Sequence, residues 1–164
     1  MNAGTEFAAI ERRGLVLLGC GKMGSAMLAG WLDGGLASAS VLVLDPAPPD
    51  WLTGTGVFLN GELPPAPAIV IVAVKPQMMG DALPRIEAFG GGMTVGLSIA
   101  AGTPIARFES VFGTETPIIR AMPNTPAAIG RGITALTGNA AADEAAMALS
   151  ETLLATVGQT VRLD

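Results

Sequence analysis

Residues 15–35 read LVLLGCGKMGSAMLAGWLDGG, and this stretch decides the fold. Leu15, Val16, Leu17 and Leu18 form an unbroken apolar run without polar alternation, the pattern of a strand buried on both faces of a parallel sheet. Gly19, Gly21 and Gly24 follow within six residues. Gly19 permits a tight turn, Gly21 leaves open the space a side chain would take, and Gly24 lets the next segment pack closely on the strand. That next segment is helical by its spacing: Met23, Met27 and Trp31 recur four apart, Leu28 and Leu32 flank them, and Gly34-Gly35 ends the run. The stretch therefore reads strand, glycine turn, helix.

A GxGxxG string is weak alone in a chain with 22 glycines, so its surroundings carry the argument. The next apolar run, Val41 to Leu44, ends in Asp45, 21 residues beyond Gly24. Dinucleotide-binding folds place an acid there, on the adenosine ribose. Strand, turn, helix and acid together point to a dinucleotide whose pyrophosphate rests on backbone N–H groups at the helix start. The alternative is a glycine turn used only to pack the helix.

Composition narrows the rest. A chain of 164 residues, 50% hydrophobic, is expected to form one domain with a sizeable core. Mean hydropathy is +0.53, yet the longest strongly apolar run, Ala68 to Val74, is far short of the roughly 18 residues that span a bilayer. The start, MNAGTEFAAIERRG, lacks the basic and apolar regions of a signal peptide, so a cytoplasmic protein without membrane contact is expected. The net charge is −5 and no basic cluster exceeds Arg12-Arg13, which argues against a nucleic-acid partner. One cysteine and no histidine leave no internal disulfide and no zinc-type metal site. Cys20 reads as a small filler in the glycine turn or, less naturally, as a redox group with no resolving partner. Without His or Tyr, dehydrogenase mechanisms built on either residue cannot be completed from this chain.

Further strands are expected at Val57–Leu59, Ile69–Val74, Thr94–Leu97, Pro117–Ala121, Ile133–Leu136 and, at an edge, Thr160–Leu163. Helices are expected over Met78–Phe89, kinked near Pro84, over Thr103–Phe108 with Pro104 in its first turn, and from a cap at Asn139 through about Thr156. The PAPPDWLTGTG segment after Asp45 allows only a short helical turn. The fold class is α/β: a Rossmann-like, doubly wound, mostly parallel sheet with helices on both faces, one dinucleotide-binding domain over residues 1–164. Ligands of such sheets bind at the carboxyl ends of the strands, here the loops GCGKMG, DPAPP, VKPQ, SIAAG and AMPNTPA.

Taken together, GCGKMGSAML, LNGE, VAVKPQ, SIAAGTPI and RAMPNTPAAIGRGITAL resemble, in order and spacing, pyrroline-5-carboxylate reductase, which reduces the C=N bond of a cyclic imine to give L-proline. RAMPNTPA after SIAAG is the discriminating segment, since GxGxxG and VKPQ recur in related reductases. The resemblance implies an N-terminal cofactor domain followed by a helical domain that dimerises and completes the substrate site, and that second domain is expected after residue 164. It also implies a homo-oligomer formed through the second domain, a small-molecule substrate, and catalytic residues outside this chain.

By the same resemblance, Gly19, Cys20, Gly21, Lys22, Met23 and Gly24 hold the pyrophosphate and Asn60 touches the adenosine ribose. Ala73, Val74, Lys75 and Pro76 line the nicotinamide-ribose side, Ser98, Ile99, Ala100 and Ala101 continue that wall, and Met122, Pro123 and Asn124 face the substrate. Each has a plainer reading: Lys75 as a solvated lysine, Asn60 and Asn124 as loop-fixing residues, Asp45 as a cap. A protonated imine is already electrophilic, so a missing histidine is no obstacle to hydride transfer from NAD(P)H. Asp45 among three prolines, with no Lys or Arg in its loop, argues for NADH over NADPH, because a 2′-phosphate there meets like charge and few N–H donors. Two other readings remain: a β-hydroxyacid or deazaflavin-linked reductase of the wider group, and a stand-alone dinucleotide-binding module without chemistry of its own.

Overall fold

The structure is a computed structural model that describes residues 3–123 and 132–163. Its frame is one eight-stranded sheet in the order β3-β2-β1-β4-β5-β6-β7-β8. The strands are β1 (Leu15–Leu18), β2 (Val41–Leu44), β3 (Phe58–Leu59), β4 (Ile69–Val72), β5 (Val95–Ser98), β6 (Ile118–Pro123), β7 (Gly132–Gly138) and β8 (Gly158–Arg162). β1 to β6 run parallel, β7 is antiparallel to β6, and β8 is parallel to β7. The chain is Rossmann-like, as its alternation of strands and helices predicts.

The unbroken apolar runs conceal an alternation. Leu15, Leu17, Val41, Val43, Ile69 and Ile71 join one core, together with Phe7, Ile10, Met27, Trp31 and Leu153. Val16, Leu18, Leu42, Leu44, Val70 and Val72 join another, with Met79, Ile86, Phe108 and Phe112. Successive side chains point to opposite faces, so a strand covered by helices on both sides must be apolar at every position. Helices α1 (Ala3–Arg13), α2 (Lys22–Asp33) and α5 (Glu144–Leu154) supply the first core; α3 (Met79–Ala82) and α4 (Ile105–Phe112) supply the second. Trp31 is fully buried and its indole N–H donates to the Leu153 carbonyl at 2.8 Å, tying α2 to the end of α5.

Three local departures have physical reasons. α1 has no counterpart among the predicted elements, because Phe7 and Ile10 alone mark its buried side among the residues whose burial is described; it is held by Arg13, whose guanidinium donates to the carbonyls of Ala66, Pro67 and Met93. Asn139 does not cap the last helix. Its amide bridges the start of β6, accepting from Ile118 N–H at 3.0 Å and donating to Thr116 O at 2.9 Å and Glu109 Oε2 at 3.0 Å. Asp143 caps α5 instead, its Oδ1 accepting from Ala146 N–H at 2.9 Å. The segment after β4 is three short helical pieces, Pro76–Met78, α3 and Leu83–Phe89, since Pro84 cannot donate in a continuous ladder. Among the described residues no helix is long and apolar enough to cross a membrane.

Candidate functional site

At the carboxyl edge the three glycines of the turn answer to different demands. Gly19 has φ +90°, and a Cβ there would stand 2.8 Å from Val74 Cγ1 and 3.1 Å from the Ala73 carbonyl. A Cβ on Gly24 would stand 2.9 Å from Gly19 O. Both glycines are required by packing. Gly21 has φ −78°, a conformation open to any residue, and its Cβ would meet nothing within 4 Å. Packing gives no reason for glycine at that position.

Gly21 is also the N-cap of α2 and offers no side-chain cap. The first N–H to enter the helix ladder is that of Ser25, bonded to Gly21 O at 2.8 Å, so the amides of Lys22, Met23 and Gly24 have no intrahelical partner. Beside this turn lies a cavity of about 670 Å³. Leu18 to Gly21 form one wall, Leu44, Asp45 and Pro46 one end, and Ala73, Val74 and Lys75 the sheet-edge side. A further stripe of the lining, Met78, Asp81, Ala82 and Arg85, comes from the three short helical pieces after β4. A second cavity, about 490 Å³ near Arg12, Ser40 and Phe58, is at the other end of the strands, away from the glycine turn.

Asp45 ties the turn to the next strand. Its Oδ2 accepts from Cys20 N–H at 2.7 Å and its Oδ1 from Ala47 N–H at 2.9 Å. Asn60, with φ +51°, clamps the Asp45 backbone from both sides: Asp45 N–H donates to Asn60 Oδ1 at 2.9 Å and Asn60 Nδ2 donates to Asp45 O at 2.8 Å. The side-chain amide thus extends the β2–β3 ladder by one rung. Burial pushes the Cys20 thiol above its ordinary range, the Ser25 hydrogen bond works against this, and the Asp45 charge adds to it. A thiol kept protonated in this way is a packing group rather than a nucleophile.

The cavity brings together Gly19, Cys20, Gly21, Asp45, Ala73, Val74 and Lys75. Lys22, Met23 and Gly24 adjoin it in the first turn of α2, and Pro76 follows Lys75 on its rim. Asn60 reaches it only through Asp45. Ser98 ends β5 and Ile99, Ala100 and Ala101 follow it, one strand further along the edge; Ser98 is buried and its Oγ accepts from Ala100 N–H at 3.2 Å. Met122 and Pro123 end β6, another strand on, and Asn124 lies outside the described residues. Met78, Asp81, Ala82 and Arg85 are additions: the sequence places a helix over Met78–Phe89 but does not show which of its residues meet the cavity.

A parallel sheet with a glycine turn, a capless helix start and a cavity at its carboxyl edge defines the class as a Rossmann-like α/β domain. No family model matches the chain. It is 30% identical over 156 residues to the pyrroline-5-carboxylate reductase of Pseudomonas aeruginosa, covering 92% of this chain and 57% of that protein. Among solved structures it is similar to a pyrroline-5-carboxylate reductase from Coxiella burnetii, with TM-score 0.82 and 22% identity over 93% of this chain and 59% of that one. It also resembles the Plasmodium falciparum pyrroline carboxylate reductase with NADP bound, with TM-score 0.79 and 23% identity over 94% and 58%. The chain belongs to the pyrroline-5-carboxylate reductase family and corresponds to its N-terminal domain. It spans little more than half the length of the curated relatives it matches.

Proposed function

We propose that this chain is the NAD(P)H-binding part of a pyrroline-5-carboxylate reductase, in which hydride transfer to the C=N bond of 1-pyrroline-5-carboxylate gives L-proline. The observation that carries this is Gly21: packing explains Gly19 and Gly24, whereas the space above Gly21, at the start of α2 and on the wall of the cavity, is open to a ligand. A pyrophosphate fits that cradle, next to helix amides without partners and in the field of the helix N-terminus. The reduced nicotinamide, when bound, supplies the hydride.

The chain's own residues position that group. The N–H groups of Gly21 to Gly24 face the phosphates, while Cys20 N–H is already committed to Asp45 and serves to hold the turn in shape. Lys75, exposed at the carboxyl end of β4, supplies a cation on the nicotinamide-ribose side, with Ala73, Val74 and Pro76 beside it. Ser98 to Ala101, Met122 and Pro123 continue toward the substrate side. The remaining substrate contacts and the catalytic residues are assigned to the helical domain that accounts for the relatives' extra length, which also makes the homo-oligomer. Asp45 keeps lone pairs free after accepting two amides and favours the ribose hydroxyls of NADH over a 2′-phosphate.

Titration with NADH and NADPH tests the reading. Trp51, partly exposed, donates its indole N–H to Ser25 Oγ at 3.2 Å in the first turn of α2, so its fluorescence reports on the site. Binding at micromolar cofactor without imine reduction is expected of this chain. Failure to bind either cofactor overturns the proposal; turnover by the chain alone overturns the assignment of catalysis to the second domain.

A further inference from the structure

The place where such folds meet the adenosine 2′ substituent, the end of β2, has few backbone donors left to offer. Asp45 N–H is given to Asn60 and Ala47 N–H to Asp45 itself, and Pro46, Pro48 and Pro49 have no N–H. No Lys or Arg occurs anywhere between Lys22 and Lys75. Among the residues lining the cavity, the cations are Lys75 and Arg85. Lys75 follows the end of β4; Arg85, in the helical piece Leu83–Phe89, lines the same cavity as Asp45 and Pro46. Its neighbours on that stripe, Met78 and Ala82, offer an apolar surface suited to the flat face of a purine. Arg85 is exposed and makes no hydrogen bond or ion pair with a described residue, although Asp81 is one turn away.

Resting on the cofactor reading above, we propose that Arg85 determines cofactor selectivity, receiving the 2′-phosphate of NADPH from the helical side of the cavity that Asp45 also lines. Planar guanidinium donors match a phosphate in two-point fashion. The choice between the two cofactors is then a balance of Asp45, which repels the phosphate at the end of β2, against Arg85, which attracts it from the helical side.

The test is the dissociation constants of NADPH and NADH, at two ionic strengths, for the parent chain, Arg85→Ala, Arg85→Lys and Lys75→Ala, with a thermal melt for each. Arg85→Ala is expected to weaken NADPH about tenfold or more, to change NADH less than about twofold, and to flatten the salt dependence of NADPH binding. Arg85→Lys, which keeps charge and loses the fork, is expected to fall between. Lys75→Ala is expected to weaken both cofactors alike. Equal losses for NADPH and NADH in Arg85→Ala overturn the proposal in favour of a base-stacking or wall role, and unchanged affinities overturn it outright. Both leave the cofactor reading standing; that reading falls, and this one with it, if the folded parent binds neither cofactor.

Discussion

At β1, β2 and β4 every residue of the strand is buried, whereas along β7 burial alternates and no residue of β8 is fully buried. The difference is a matter of cover. The first group has helices on both faces; β7 and β8 have α5 on one face, and on the other Met122, Val161 and Leu163 stand exposed at 36%, 48% and 49%. The candidate site is built on the fully covered half. There, Asp45 ties the glycine turn to the end of β2 through the Cys20 N–H, and Asn60 holds the Asp45 backbone in turn.

The largest expected effect lies in the covered half. Trp31→Ala removes a fully buried indole that joins α2 to α5 and is expected to cost about 3–5 kcal/mol, measured by denaturant or thermal unfolding. Trp31→Phe keeps most of the volume, and the Leu153 carbonyl still accepts from Thr156 Oγ1 at 3.1 Å, so about 1 kcal/mol is expected. If the two variants cost the same, the hydrogen bond rather than the packing holds α2 in place.

Next comes Gly21→Val, which separates fold from ligand at a single position. With a negative φ and open space around its Cβ, the site accepts a side chain without clash, and the unfolding free energy is expected to change by no more than about 1 kcal/mol. Affinity for either cofactor is expected to fall at least about a hundredfold. Retained affinity would remove the observation on which the functional reading rests.

What was legible in the sequence follows the same division. The buried strands and the glycine turn were readable because cover on both faces forces unbroken apolar runs and because a tight strand-to-helix turn has few residue solutions. The direction of β7 was not, since periodicity carries no sign and the antiparallel pairing with β6 is a property of the connection. Asn139 and Asp143 are both good caps in isolation; the choice was made by Thr116, Ile118 and Glu109, which engage Asn139 from elsewhere in the chain. Arg85 carried no motif. Its place on the cavity wall depends on the rotation of a helical stripe that Pro84 interrupts.

A smaller effect is expected at Asp45, where charge and geometry are separable. Asp45→Asn removes the charge and keeps one acceptor for the two amides, Cys20 N–H and Ala47 N–H, that the carboxylate now holds. NADPH binding is expected to tighten severalfold relative to NADH, within the roughly 1 kcal/mol that a partly exposed like charge is worth. Equal changes for both cofactors would mean that Asp45 acts only by shaping the glycine turn.

The smallest effect on stability is expected at the far edge, on the face of β8 and the residue after it that no helix covers among the described residues. Val161→Lys and Leu163→Lys replace side chains about half exposed, so little apolar area returns to water on unfolding, and each is expected to shift stability by no more than about 0.5 kcal/mol. Yet β8 is an edge strand, and an edge with exposed Val and Leu invites pairing or stacking between copies, which lysine opposes by charge and by its solvated length. Sedimentation velocity over a concentration series is therefore expected to show weak self-association in the parent and less in the double variant, with overlaid thermal melts. A loss well beyond 1 kcal/mol would show instead that these residues pack within the chain, and the contrast between a covered and an uncovered half would no longer hold. Unchanged association would place the contact between copies on another surface, leaving the uncovered face without a role in it.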